Sequence, residues 1–362
     1  MRIVVKIGTN TLTKKNGELD NEQITSFAKD TAKLVKVGHQ VLIVTSGAIG
    51  AGMGKLGFKN RPSSLQEKQA LAAVGQPLLM DIYQDAFSKL GLTIAQVLLT
   101  RHDFDDRKKY INARNTLNSL LKLGVIPIIN ENDTVAVEEI NFGDNDTLSA
   151  LVASGVSADW LFILTDVEGL YKGVPGKSEL IHTVDAITPE IEKYASGVSG
   201  SGKGVGGMKT KISAANIATK TGVKTVIANG TEEMIIQKIL DGEKRGTIFL
   251  PSKKLEARKH WIAFGPKCKG KIIIDEGAAK ALLKGGKSLL PSGVIGTEGT
   301  FSAGDTVSII GHDKKEVARG MVNYSKDFIE KIKGKKSAEI QKMFSEAIFD
   351  EVIHRDNLVI LD

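Results

Sequence analysis

The stretch Pro127-Ile-Ile-Asn-Glu-Asn-Asp-Thr-Val135, followed after a short gap by Asn141-Phe-Gly-Asp-Asn-Asp-Thr-Leu-Ser-Ala-Leu-Val-Ala153, decides the fold. An apolar run from Val125 to Ile129 ends abruptly in Asn130, Glu131, Asn132 and Asp133. A buried strand that ends this way delivers its polar residues to the carboxyl edge of a sheet, where open α/β folds bind ligands. Gly143 then gives a turn, and Asp144, Asn145 and Asp146 stand directly before a helical pattern over 147–155. Acidic and amide side chains there suit a metal or a cationic substrate group. The plainer alternative is that Asp144 or Asp146 is a helix N-cap.

The same arrangement recurs on both sides. Ile3 to Ile7 reads as a buried first strand, interrupted by Lys6 and followed by Gly8-Thr9-Asn10-Thr11. A lysine there either reaches water from an edge or binds phosphate, with Gly8 letting the backbone approach a polyanion. Val41 to Val44 runs into Thr45-Ser46-Gly47-Ala48-Ile49-Gly50-Ala51-Gly52, a glycine density that predicts a loop with amides free to face an anion. Trp160 to Leu164 ends in Thr165 and Asp166. Further strands are predicted over 93–100 and 224–228. Helices are predicted over 20–37, 107–123, 208–221 and 232–240, and over 64–90 in two pieces because Gly75 and Pro77 interrupt the pattern. Strands alternating with helices imply βαβ units, hence an α/β fold with a mainly parallel sheet sandwiched by helices.

The segment from Ser196 to Lys211 contains Gly-x4-Gly-Lys but holds Gly204 where a Walker A loop needs Ser or Thr, and no strand leads into it. A different phosphate device remains: Gly204, Gly206 and Gly207 free the backbone just before a helix start at Met208. Lys209 and Lys211 in that first turn oppose the helix dipole unless an anion offsets them.

A chain of 362 residues is long enough for two domains. Its 41% hydrophobic and 25% charged residues are those of an ordinary globular protein. The single cysteine, Cys268, forms no intrachain disulfide, which fits a reducing, cytoplasmic setting. No signal-peptide pattern is read at the start, and no apolar run approaches the ~18 residues of a membrane span. The net charge of +7 invites a polyanion such as a nucleotide or RNA. Residues 260–362, however, carry 16 Lys and Arg against 14 Asp and Glu, and few aromatic residues beyond Phe301 and Tyr324 suit base stacking, so RNA binding is not expected. After Pro251 the texture changes. The expected organisation is a first domain over 1–251, a polar linker over 252–268, a small β-rich domain over 269–347 and a tail over 348–362, with a helix over 337–349.

Taken together, Val-Val-Lys-Ile-Gly-Thr at 4–9, Val-Thr-Ser-Gly-Ala-Ile at 44–49, Ile-Asn-Glu-Asn-Asp at 129–133, Gly-Asp-Asn-Asp at 143–146 and Leu-Thr-Asp at 164–166 resemble the amino acid kinase family. So do Gly-Leu-Tyr at 169–171, Gly-Gly-Met-x-Thr-Lys at 206–211, Leu-Ala-Ala-Val-Gly-Gln at 71–76 and Leu-Thr-Arg at 99–101. The chain from about Gly270 resembles a PUA domain, a small β-barrel-like module. Val205 departs from the threonine common in the family's phosphate loop. The resemblance implies transfer of the ATP γ-phosphoryl group to the side-chain carboxylate of L-glutamate, the first step towards proline. It implies that Lys6 and Lys211 contact the moving group and that Asp146 orients both. Ser46, Gly47 and Asn145 would bind the glutamate carboxylates, and Asp133 and Asp144 its ammonium. Lys6, Thr165, Asp166, Val205, Gly206, Gly207, Met208, Lys209, Thr210 and Lys211 would hold ATP. Mg2+ would bridge the ATP phosphates, with no direct protein ligand assigned. A homo-oligomer (dimer or tetramer) and hand-over to glutamyl phosphate reductase are further implications.

The reaction makes sense of a missing catalytic histidine, because a carboxylate acceptor is already ionised at pH 7 and needs no general base. The competing acceptors within the family are acetylglutamate, whose blocked amine has no use for Asp133 and Asp144, and aspartate.

Overall fold

The β-branched run at the amino terminus forms the centre of a sheet. The computed structural model describes residues 1–14, 18–136, 144–174, 177–196, 207–251, 262, 268–335, 339–340 and 350–361. The chain divides into two compact units, one of residues 1–103 and 108–254, the other of residues 104–107 and 255–362.

The strands of the first unit are β1 (Arg2–Ile7), β2 (Gln40–Val44), β3 (Ile94–Leu99), β4 (Ile126–Glu131), β5 (Trp160–Thr165), β6 (Thr183–Val184), β7 (Lys224–Asn229) and β8 (Thr247–Phe249). The helices over residues 1–254 are α1 (Thr9–Leu12), α2 (Asn21–Lys36), α3 (Ala48–Leu56), α4 (Leu65–Ser88), α5 (Arg101–Asp105), α6 (Arg107–Lys122), α7 (Asp144–Gly155), α8 (Pro189–Ser196), α9 (Met208–Thr219) and α10 (Ile235–Leu240). The sheet runs β3-β4-β2-β1-β5-β7-β8-β6, and every pairing is parallel except that of β7 with β8. In register, Lys6 lies beside Val44 on one neighbour and Ile163 on the other. The carboxyl ends of β1, β2, β4 and β5 therefore share one edge, which collects Lys6, Ser46, Asn130 and Asp166 as expected for a parallel sheet.

Two helices depart from the sequence pattern. The expected glycine-rich loop after β2 is the helix α3, with only Gly47 in the left-handed region (φ 103°) at its start. Gly52 in α3 and Gly75 in α4 serve packing. A Cβ on Gly52 would lie 2.0 Å from the Leu71 carbonyl oxygen, and one on Gly75 would lie 1.8 Å from that of Ala48. Free amides facing an anion are thus limited to the first turn of α3. The expected break in 64–90 is also absent, since α4 runs unbroken through Pro77. Ala73, whose carbonyl Pro77 leaves without a donor, is exposed like Pro77 itself, so the proline sits on a face of the helix open to solvent. Ser64 caps α4 by accepting from the Glu67 amide at 3.2 Å. One face of α4 carries Leu71, Ala72 and Gly75 against α3; further along, Leu79, Tyr83 and Phe87 enter the main core with Ile3, Val5 and Phe162.

In the second unit, β9 (Gly270–Ile274), β10 (Val294–Gly299), β11 (Thr306–Ile310), β12 (Glu316–Met321) and β13 (Leu358–Ile360) make a sheet ordered β10-β9-β11-β12-β13. Helices at Glu276–Gly285 and Lys326–Ile332 accompany it. Its core includes Ile272, Phe301, Val307, Ile309 and Ala318. Val352, Ile353 and β13, from the stretch read as a tail, contribute to this core and sheet. The expected linker 252–268 lies outside the described residues except for 262 and 268, and the expected helix 337–349 does so except for 339–340. No helix among the described residues is long and apolar enough to cross a membrane.

The α3–α4 contact makes a signed prediction. Helix propensity alone has Gly75→Ala stabilise by up to ~1 kcal/mol. The Cβ, however, would meet backbone atoms of α3 that cannot move without separating the helices. A loss of about 3 kcal/mol in urea unfolding is expected; unchanged or raised stability would contradict this packing.

Candidate active site

Three charges meet at the sheet edge. Asp146, in the first turn of α7, is fully buried. Its Oδ1 lies 2.8 Å from Lys6 Nζ at the end of β1, and its Oδ2 lies 3.4 Å from Lys211 Nζ in the first turn of α9. The Thr210 hydroxyl donates to the same Oδ2 at 2.8 Å. Both lysines are themselves buried, at 6% and 5% exposure. Charges so far from water persist only when paired. Burial pushes the Asp146 carboxyl up, but Lys6 and Lys211 outweigh it and hold the group below the ordinary aspartate range. Burial lowers Lys211, with Lys6 adding to that effect and Asp146 opposing it. Two cations against one anion leave the cluster with a net positive charge, which suits a polyanionic ligand. Asp146 is therefore not a helix cap, and the unfavourable place of Lys211 in its helix is offset by a protein anion.

Beside this cluster lies a neutral one. Asn145 Nδ2 lies 2.9 Å from the Thr45 carbonyl, 3.0 Å from Ser46 Oγ and 3.1 Å from Asn130 Oδ1. With its donors committed, Asn145 can offer a ligand only Oδ1, which is buried without a partner among the described residues. That free atom is an acceptor and suits an N–H donor, such as an ammonium, whereas the family resemblance implies a contact of Asn145 with a substrate carboxylate. Ser46 is buried at the end of β2, and Gly47 starts α3. β4 extends through Asn130 and Glu131 rather than ending at Ile129, because both side chains are buried and Asn130 is bonded on both sides. Asp133 sits on the turn after β4, half-buried. It is close enough to Arg61 that its charge raises the guanidinium pKa against the lowering by burial. Asp144 begins α7.

At the carboxyl end of β5, Asp166 accepts from Asn10 Nδ2 at 2.9 Å and from Thr165 Oγ1 at 3.1 Å. Burial would raise this carboxyl; those bonds and the charge of Lys211 bring it below its usual range. Gly207 caps α9, Met208 is buried and Lys209 is exposed. Val205 and Gly206 lie outside the described residues. Asn10, Arg61, Asn130 and Gln76 gain partners at the site that the sequence did not foretell. Asn130 and Gln76 stand inside motifs that resemble the family, and Asn10 directly follows one, but nothing in a linear pattern says which polar residue turns inward.

Among the described residues, no group of three or more His, Cys, Asp or Glu is placed to hold a metal. Asp146 is committed to Lys6, Lys211 and Thr210. That donor set fits a magnesium ion carried by phosphate oxygens and water rather than by a protein cage.

Because the folded Asp146 pKa is lowered, its stabilisation is present above the ordinary aspartate value and is lost as pH falls through the folded one. Asp146→Asn is therefore expected to cost about 3 kcal/mol at neutral pH. The gap from wild type in denaturant titrations should shrink below pH ~4. A gap that widened on acidification would contradict the pairing.

The amino acid kinase family model matches residues 1–229, and the PUA domain model matches residues 270–344. The glutamate 5-kinase of Thermoanaerobacter sp. (strain X514) is 54% identical over 100% of this chain and 98% of its own length. That of Moorella thermoacetica is 52% identical over 99% of this chain and 96% of its own. The carbamate kinase of Giardia lamblia bound to AMP-PNP superposes with a TM-score of 0.51 at 17% identity, over 69% of this chain and 98% of that one, a likeness of fold. The sheet order, the lysine–aspartate–lysine cluster and these likenesses lead to one assignment: the chain belongs to the amino acid kinase family.

Proposed function

We propose that the protein transfers the γ-phosphoryl group of ATP to the side-chain carboxylate of L-glutamate, giving glutamyl 5-phosphate and ADP. The observation that carries this reading is the buried Asp146 between Lys6 and Lys211, joined through Asn145 to the neutral pocket. A carboxylate oxygen of glutamate forms the new O–P bond as the bond from the γ-phosphorus to the bridging oxygen breaks, and ADP carries away the electron pair. No proton moves, so no base is required. The catalytic task is to position two anions against each other and offset their charge. Lys6 and Lys211 do this. Their ammonium groups are fixed by Asp146 before the substrates arrive, so little reorganisation is left for the transition state.

Thr165, Asp166 and the 205–211 segment hold the nucleotide. Magnesium bound with ATP would neutralise charge on the donor. Ser46 and the first-turn amides of α3 receive a carboxylate of glutamate; Asn145 Oδ1, Asp133 and Asp144 receive its ammonium. The full-length glutamate 5-kinase relatives support this acceptor over acetylglutamate or aspartate. The acyl-phosphate product hydrolyses in water, which favours prompt consumption by a reductase in the cytoplasm; a homo-oligomer accords with the family.

The test is acyl-phosphate formation trapped with hydroxylamine, dependent on ATP and magnesium, with glutamate, acetylglutamate and aspartate in parallel. Signal with glutamate above the other two is expected, and none with glutamate would end the proposal. Lys211→Ala should lower kcat about a hundredfold with a smaller effect on KM, because its contact tightens as charge develops. A change in KM alone would reassign it to ground-state binding.

A further inference from the structure

Gln76 has no part in the steps above, although it closes the Leu71–Gln76 stretch that resembles the family. The close approach of Gly75 to α3 seats α4 so that Gln76 reaches the end of β4, where its Oε1 accepts from Asn130 Nδ2 at 2.7 Å.

Backbone groups fix the direction of every bond in this chain of amides. The Thr45 carbonyl can only accept, so the Asn145 atom facing it is Nδ2. The Glu131 amide can only donate, so the Asn130 atom 2.9 Å away is Oδ1. Asn130 must then present Nδ2 to Gln76, whose receiving atom is Oε1. Gln76 is left with Nε2, buried and without a partner among the described residues. Asn145 Oδ1 is in the same position at the other end. One hydrogen-bonded chain thus ends in a free acceptor and a free donor. Leaving a buried polar group unsatisfied is unfavourable, so two at the ends of a single chain mark places that a ligand fills.

We propose that Gln76 is a specificity-determining residue of the acceptor site, donating from Nε2 to the α-carboxylate of the amino acid. This rests on the reading of glutamate as acceptor. The carboxylate that takes the phosphoryl group must face Lys6 and Lys211, which flank the neighbour of Asn145. Gln76 stands two hydrogen bonds further along the chain, at the end away from transfer. A donor there and an acceptor at Asn145 match the carboxylate and ammonium carried by one α-carbon.

The rival role is an anchor for Asn130. Gln76→Glu separates the two, because the introduced carboxylate still accepts from Asn130 but presents a charged oxygen where Nε2 stood. The probes are L-glutamate and L-isoglutamine, which keeps the reacting carboxylate and carries a carboxamide at the α position, assayed by hydroxylamine trapping at pH 8. In Gln76→Glu the glutamate KM should rise about tenfold or more, with the ATP KM within about twofold. The preference in kcat/KM for glutamate over isoglutamine should fall by a similar factor, since the carboxamide can donate to the introduced carboxylate. A glutamate KM within about twofold of wild type in Gln76→Glu, with a clear rise in Gln76→Met, would overturn the proposal in favour of the anchor. Equal losses for both probes would overturn it too. Absence of product from glutamate with the wild-type protein would instead defeat the reading of the acceptor.

Discussion

A single carboxylate shut away from water between two ammonium groups is the constraint on which the rest of the first unit depends. Asp146 is fully buried, and such a charge is tolerated only with close partners of opposite sign. Those partners come from distant parts of the chain: Lys6 ends β1, and Lys211 follows the start of α9. To bring them together, β1 must lie at the centre of the sheet with β5 beside it, and α7 and α9 must pack over the same edge. The parallel register does this, because all the strands involved end on one side. The excess positive charge is then a property of the fold, present before any ligand.

Consecutive residues divide the site into two chemistries. Side chains one position apart on a helix point about 100° from each other. Asp146 thus meets the lysines, while Asn145 turns to Thr45, Ser46 and Asn130. The charged half suits phosphate; the neutral half, with fixed donors and acceptors, suits an amino acid whose groups must be told apart. A hydrogen-bonding site discriminates sharply because the wrong ligand leaves its buried groups unpaired.

The sequence made the charged half legible. Lys6 broke an otherwise apolar strand, Asp146 followed a turn glycine, and Lys211 opposed its own helix dipole. Each is a local anomaly that burial with a partner resolves. The neutral half was harder to read. The family resemblance implied a carboxylate contact for Asn145, and no linear pattern shows that its Nδ2 faces the Thr45 carbonyl. The glycines after β2 looked like a loop because glycine density signals turns; close helix packing at Gly52 adds to the same composition, and only the partner surface at Leu71 and Gly75 separates the two. Pro77 looked like a break because a pattern does not show whether the freed carbonyl faces water. The apolar run of β4 stops at Ile129, before the strand does, and period and polarity carry no trace of the hydrogen bond that Asn130 makes across 54 residues to Gln76.

The central claim is that two lysines, held by one acid, converge on the transferring phosphoryl group. A crystal structure of the full chain with magnesium, glutamate and a non-hydrolysable ATP analogue tests it most directly. The account predicts Lys6 and Lys211 Nζ both within ~3 Å of γ-phosphate oxygens while Asp146 still touches each. A γ-phosphate bound out of reach of either amine would contradict it.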